Sequence, residues 1–453
     1  MELKDKRVLV VGLGKSGVAS ALFLKAHGAR VTVSDTKSGD DLRNEIPTLL
    51  DCGITVETGG HGERTFRGQD LIVVSPGVPV DAPPLVQARA LGEIVIGEIE
   101  LAAQFLPGPV VAITGSNGKT TTTTLTGEIL AATGLPTLVG GNIGTPAISL
   151  AERAKPETVI VLEVSSFQLE TIQSFRPKVA VVLNVTSDHL DRHRTLEAYV
   201  DAKARIFENQ RSEDFAVLNA DDPTCVAMAG RTRAQVFWFS RQKEVKQGAW
   251  VRDGAILFRG GSEPEEAVQR EIILVSEIPL KGAHNLENVL AAVCAGMLMG
   301  CAPEIIRQAV LDFKAVEHRL EYVATIRGVD YYNDSKATNV DATIKALESF
   351  PANIHLILGG KDKGSDYSLL NGLLRQRVKR VYTIGAAAGK IESQITDVEV
   401  VRAETLENAL RKANAVAEPG DVVLLAPACA SFDQFKNYEQ RGQVFKEIVQ
   451  RLG

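Results

Sequence analysis

The stretch Val110-Val111-Ala112-Ile113-Thr114-Gly115-Ser116-Asn117-Gly118-Lys119-Thr120-Thr121 decides the fold of this chain. Four apolar residues run into a glycine turn, and Leu125, Ile129 and Leu130 then recur at helical spacing. A strand, a glycine turn and a helix in that order make a phosphate loop. The glycines let backbone N–H groups turn inward, the helix N-terminus adds partial positive charge, Lys119 reaches the outer phosphates and Thr120 can ligate magnesium. Gly115, Ser116, Asn117, Gly118, Lys119, Thr120 and Thr121 are therefore expected to bind ATP. The full consensus places a glycine where this chain has Ile113, so the loop is a shortened variant. No Asn-Lys-x-Asp segment follows, which argues against GTP.

Outward from the loop, the apolar run Val159–Leu162 ends at Glu163. A buried strand ending in a carboxylate beside a phosphate loop commonly holds magnesium; a surface Glu at a strand end is the plain alternative. The next strand, Val179–Asn184, leads to Asp188 and His189, which could bind a second magnesium or orient substrate. In the helix Leu196–Glu208, the residues Leu196, Tyr199, Val200 and Phe207 form an apolar stripe that also carries Lys203. Either Lys203 snorkels to water, or its amine is desolvated, titrates lower and can take up CO2 as a carbamate.

The N-terminal run Val8-Leu9-Val10-Val11-Gly12-Leu13-Gly14-Lys15-Ser16-Gly17 matches Gly-x-Gly-x-x-Gly after a strand, and Asp35 ends the following strand. Alone this suggests NAD; physically it promises a diphosphate at a helix N-terminus. Ser75-Pro76-Gly77 after strand Leu71–Val74 either lines the same cleft or simply turns the chain.

Towards the C-terminus, Asn285 opens a helix, where it could merely cap it. Arg319 follows at a junction. Three polar segments then come after strands: Asn333–Asn339, Gly359–Gly364 and Ala426–Phe435. Lys336 and Lys363 on these loops, with Arg319, predict a site for anions.

Strands and helical patterns alternate along the chain, predicting an α/β fold with mostly parallel sheets. Three domains are expected, 1–97, 98–314 and 315–453, with segment 236–280 as a β-rich insertion. The charge of −6, from 50 basic and 56 acidic side chains, argues against nucleic acid as the main partner. Five scattered cysteines, no signal-peptide layout and an apolar run at Val289–Ala302 too short to span a bilayer predict a cytoplasmic protein with no membrane insertion.

Thr114–Thr121, Glu163-Val164-Ser165-Ser166-Phe167-Gln168-Leu169, His284-Asn285-Leu286-Glu287-Asn288 and Asn333-Asp334-Ser335-Lys336-Ala337-Thr338-Asn339 together resemble the Mur ligase family, ATP-dependent amide-forming enzymes of peptidoglycan precursor assembly. The likeness runs the whole length. The glycine block and Ala428-Cys429-Ala430-Ser431-Phe432-Asp433-Gln434-Phe435 resemble the members that add D-glutamate to UDP-N-acetylmuramoyl-L-alanine. The Asp-Asn-Pro-Arg segment of the diaminopimelate-adding members is absent.

The resemblance implies Rossmann-like first and last domains around a P-loop ATPase-like middle one, working as a monomer. It moves the first glycines from NAD to a UDP-sugar, met by Gly14, Lys15, Ser16, Asp35, Thr36, Ser75, Asn142 and His189. It gives ATP to Asn285, Arg319 and Asp334 besides the phosphate loop, and D-glutamate to Thr338, Lys363, Ser431 and Tyr438. Lys119, Glu163, His189 and Lys203 become the catalytic set. Thr120, Glu163, His189 and a carbamylated Lys203 would hold two magnesium ions. A sister ligase for another amino acid, an NAD-dependent oxidoreductase fused to an ATPase and a non-catalytic nucleotide switch are the rival readings.

Overall fold

A computed structural model describes residues 1–260, 268–280, 282–314 and 316–452. Part of the expected β-rich insertion (261–267), Ala315 at the expected start of the last domain and Gly453 lie outside the described residues. The described residues form two compact units. The first comprises Met1–Val185, Arg192–Glu277 and Glu287–Asp312; the second comprises Thr186–Asp191, Ile278–Leu286 and the chain from Phe313 onward.

The first unit holds two sheets among the described residues. One has five parallel strands in the order Thr55–Glu57, Arg30–Ser34, Arg7–Val11, Leu71–Val74, Val95–Gly97. Val8 to Val11 are fully buried, as expected of a strand covered by helices on both faces. The order reverses between Arg7–Val11 and Leu71–Val74, so a crevice opens beyond their carboxyl ends. Gly12 turns there with φ +89, and a Cβ on Gly17 would collide with the Gly12 carbonyl, so only glycine closes this turn.

The second sheet has nine strands, and Val110–Thr114 lies inside it between Val159–Glu163 and Val179–Val182. All five residues of Val110–Thr114 are buried. Ile113, which occupies the position of the consensus glycine, pairs with both Glu163 and Val181. The loop is short because the strand continues to Thr114. The expected insertion is an extension of this sheet: Gln235–Ser240 and Gly248–Arg252 add in parallel, and Ala255–Gly260 and Val268–Leu274 add antiparallel. The strand expected to reach Asn184 stops at Val182.

The second unit holds a six-stranded sheet ordered Glu321–Ile326, Val329–Asn333, Val422–Leu425, Ile354–Gly359, Val378–Ile384, Glu399–Glu404. Its first pair is antiparallel and the rest are parallel. The strand before each of the three polar loops is therefore a neighbour of the next, and the loops emerge side by side. No described helix is long and apolar enough to cross a membrane.

Candidate active site

The phosphate loop leads into helix Lys119–Ala131 through Gly118, whose φ of +88 suits glycine. A Cβ there would strike the Asn288 side chain, so Asn288 packs directly against the loop. Asn184 clamps the loop from the next strand end: its Oδ1 accepts the Asn117 N–H at 2.9 Å and its amide donates to the Asn117 carbonyl at 3.1 Å. Lys119 donates to the carbonyls of Gly115 and Ser116, both at 2.8 Å.

Register brings the carboxylate to this loop, because Glu163 pairs with Ile113 one residue before the turn. The Thr120 hydroxyl donates to Glu163 Oε2 at 2.7 Å, and the Asn142 amide donates to Oε1 at 3.0 Å. Thr120 and Glu163 are both buried. Two adjacent, buried oxygen donors suit a hard divalent cation such as magnesium.

Lys203 is only 1% exposed, which removes the snorkelling alternative. Its Nζ donates to the Gly115 carbonyl at 2.9 Å and lies 4.4 Å from the Tyr199 ring centroid. The helix carrying it is shorter than expected, Leu196–Ala204 followed by a 3-10 turn over Arg205–Phe207. Its stripe also differs: Tyr199 and Phe207 are buried, but Leu196 is 38% exposed because it sits in the first turn, just after the Thr195 cap.

In the first sheet, Asp35 accepts the Leu13 N–H at 2.6 Å and so braces the glycine turn. Ser75 donates to the Gly12 carbonyl at 2.8 Å. Gly14 and Lys15 at the start of the helix, and Thr36, are exposed, and Ser16 is half-buried. His61, which the sequence did not single out, bonds Ser34 Oγ through Nδ1 at 2.8 Å.

In the second unit, Asp188 accepts the His189 N–H at 2.9 Å and the Asn339 amide at 3.0 Å, with His189 at φ +55. Asn285 is the third residue of helix Ala283–Leu298, so it is not the cap. It lines a cavity of about 370 Å3 with Arg319, Phe313, Tyr322, Tyr332 and Phe350. Aromatic walls with an amide and a guanidinium suit a flat, polar-edged ring. The Asp334 carboxyl is pushed up to about 6, chiefly by burial, with Arg319, the Leu320 N–H and Lys336 opposing. Asp334 Oδ1 and Arg319 Nε are buried without hydrogen-bond partners among the described residues, as expected where a polar ligand completes the site. His284 is pushed down to about 3 by burial, Arg319 and Lys345, so it stays neutral.

Of the residues expected to meet D-glutamate, Thr338 and Lys363 are half-buried and Ser431 is buried. Tyr438 begins helix Tyr438–Leu452, with the Lys336 ammonium 5.2 Å from its ring centroid. Asp362, beside Lys363, is tied down by Lys390 at 2.8 Å and the Tyr367 hydroxyl at 2.8 Å. Arg441 is the main residue that sequence reasoning missed. It is 1% exposed and donates from Nε to Ser335 Oγ at 2.9 Å, from Nη2 to the Ser335 carbonyl at 2.7 Å, and from both terminal nitrogens to the Cys429 carbonyl at 3.2 Å. It staples two of the three polar loops together; its spacing within an ordinary amphipathic helix gave no signal.

Three family descriptions match this chain: Mur ligase MurD-like, N-terminal domain over residues 6–97, Mur ligase middle domain over 113–296, and Mur ligase, glutamate ligase domain over 318–429. The chain belongs to the Mur ligase family. It is 68% identical, over 100% of its length and 99% of the relative's, to UDP-N-acetylmuramoylalanine–D-glutamate ligase of Koribacter versatilis (strain Ellin345). It is 60% identical to the protein of that name from Acidobacterium capsulatum, over 99% of this chain and 97% of the other. The solved UDP-N-acetylmuramate-alanine ligase of Thermotoga maritima shares the fold, with a TM-score of 0.60 at 19% identity over 99% of this chain and 100% of the other.

Proposed function

We infer that the protein is an ATP-dependent ligase that joins D-glutamate to UDP-N-acetylmuramoyl-L-alanine in cell-wall precursor assembly. The observation that carries this reading is the buried Thr120–Glu163 pair at the phosphate loop, in a chain 68% identical along its length to a ligase of that name. The chemistry needs an activated carboxylate, because an amine does not displace hydroxide from a carboxylate at neutral pH. The γ-phosphoryl of ATP passes to the alanyl carboxylate and ADP leaves. The D-glutamate amine then attacks the acyl carbon, giving the amide, inorganic phosphate and a proton.

The loop N–H groups and Lys119 hold the phosphates and offset charge in the transition state. Magnesium, when bound, would add Lewis-acid stabilisation, held by Thr120, Glu163 and His189 with a carbamate on Lys203. Burial of the Lys203 side chain beside the phosphate loop, with Nζ against the Gly115 carbonyl, supports that assignment. Asn285, Arg319 and Asp334 serve ATP. Thr338, Lys363, Ser431 and Tyr438 serve D-glutamate. Gly14, Lys15, Ser16, Asp35, Thr36, Ser75, Asn142 and His189 serve the UDP-sugar. The five-stranded and six-stranded sheets are read as Rossmann-like domains of a cytoplasmic monomer, with boundaries near 97 and 314. Phosphate release from ATP with UDP-N-acetylmuramoyl-L-alanine and a panel of amino acids tests the reading: D-glutamate alone should support turnover, and turnover with another amino acid instead would overturn it.

A further inference from the structure

Tyr367 is a buried residue that the proposed chemistry leaves unused. It opens the short turn Tyr367–Leu370, just past the polar loop Gly359–Gly364. Its side chain is fully buried, and its backbone N–H is anchored on Gln394 Oε1 at 2.9 Å. The hydroxyl reaches partners on two different loops: Asp362 Oδ1 at 2.8 Å and Cys429 Sγ at 2.9 Å. A carboxylate only accepts, so the one hydroxyl proton goes to Asp362 and the Cys429 thiol donates to the hydroxyl oxygen. Burial pushes the Cys429 thiol up to about 11, which keeps that proton on the sulfur at neutral pH.

The Asp362 carboxylate closes the tip of its loop. Oδ1 also accepts the Ser365 N–H at 3.1 Å, and Oδ2 accepts from the Lys390 ammonium at 2.8 Å. Lys363 and Gly364, the latter at φ +83, lie between the two ends of that turn. Before the turn, the loop is pinned by its backbone. The Lys361 N–H donates to the Ala430 carbonyl at 2.8 Å, the Ala430 N–H donates back at 3.1 Å, and a Cβ on Gly360 would strike the Ala430 carbonyl. That backbone bridge stops at Lys361. Beyond it the Asp362 carboxylate holds the turn that carries Lys363, and the Tyr367 hydroxyl ties that carboxylate to Cys429, which lies just before Ser431 in the neighbouring loop.

We propose that Tyr367 is a positioning residue for D-glutamate: acting through Asp362 on one loop and Cys429 on the other, its hydroxyl sets the spacing of Lys363 and Ser431. D-glutamate carries two carboxylates a fixed number of bonds apart, so the groups that meet it must be held at a matching distance. The substrate half of the proposal rests on the reading that Lys363 and Ser431 meet D-glutamate; the clamp itself does not. Phenylalanine fills the same space and lacks only the oxygen that makes the clamp.

Initial rates of Tyr367→Phe and Asp362→Ala with each substrate varied in turn, together with hydrogen exchange at the Ser365 amide, test this. Tyr367→Phe should raise KM for D-glutamate about fivefold, and leave kcat and the KM values for ATP and the UDP-sugar within about twofold. Asp362→Ala should raise the same KM further. The double variant should do so by less than the product of the two single effects, since the hydroxyl acts partly through that carboxylate. The Ser365 amide should exchange faster in both variants. Cys429→Ser, which keeps a donor, should stay closer to the parent than Cys429→Ala. If Asp362→Ala does not fold, Tyr367→Phe carries the test, because it removes a single oxygen. Equal rises in all three KM values would overturn the proposal, and so would an unmoved KM for D-glutamate in Tyr367→Phe beside a lowered denaturant midpoint, the mark of a merely structural contact. Absence of turnover with D-glutamate by the unaltered protein would instead sink the activity and the substrate half with it; the clamp is then judged by Ser365 exchange, which no change in Tyr367→Phe would overturn.

Discussion

Lys203 shows what a single side chain contributes. Its spacing from Tyr199 and Phe207 was legible in the sequence, but whether the amine reached water was not, since a lysine stem packs either way. Burial decides in favour of the desolvated amine. Lys203→Ala should cut kcat by at least about a hundredfold, with formate or acetate recovering part of it by standing in for a carbamate. Steady-state phosphate release checks this, and a fully active variant would remove the lysine from the mechanism. Arg441 is the converse, a residue with no sequence signal and four hydrogen bonds to two loops. A lysine cannot reproduce the planar fork, so Arg441→Lys should cost on the order of 2 kcal/mol in a denaturant melt.

At the scale of elements, the phosphate loop works because a strand, a turn and a helix each do one thing. Strand Val110–Thr114 presents the loop from inside its sheet, Gly118 turns the backbone, and the helix that follows turns its free N–H groups toward the loop, where phosphates are proposed to bind. Gly118→Ala should strain the turn by about 1–3 kcal/mol and push Asn288 away. The expected outcome is a KM for ATP raised about tenfold or more, with KM for D-glutamate little changed, measured by initial rates. The strand–turn–helix order was plain from the sequence, because apolar runs and glycines act locally. Asn184 and Asn288 carry no such local signal, since their contacts with Asn117 and Gly118 span many residues.

For the whole molecule, buried titratable groups set how stability follows pH. Glu98 is raised from 4.5 to about 7 and Asp334 from 3.8 to about 6. A raised carboxyl binds more protons folded than unfolded, so stability falls as pH rises from near 4 through 7. Glu98 alone accounts for roughly 3 kcal/mol across that window. Urea melts at pH 5 and pH 8 should therefore show Glu98→Gln gaining stability relative to the parent at the higher pH; an unchanged difference would refute the shift. His284 works the other way. Its value near 3 makes stability fall as pH drops from 6.5 toward 3.

The sequence by itself determined the α/β class, the phosphate loop and the motifs at strand ends, because these rest on apolar periodicity, glycine and short spacings. Only the tertiary structure decided that strands Gln235–Ser240, Gly248–Arg252, Ala255–Gly260 and Val268–Leu274 extend the nine-stranded sheet, that Glu163 meets Thr120 and Asn142, that Lys203 is buried, and that Arg441 braces two of the polar loops. The reason is physical. Hydrogen-bond partners and desolvation are set by strand register and packing between residues far apart in the chain, and local pattern carries neither.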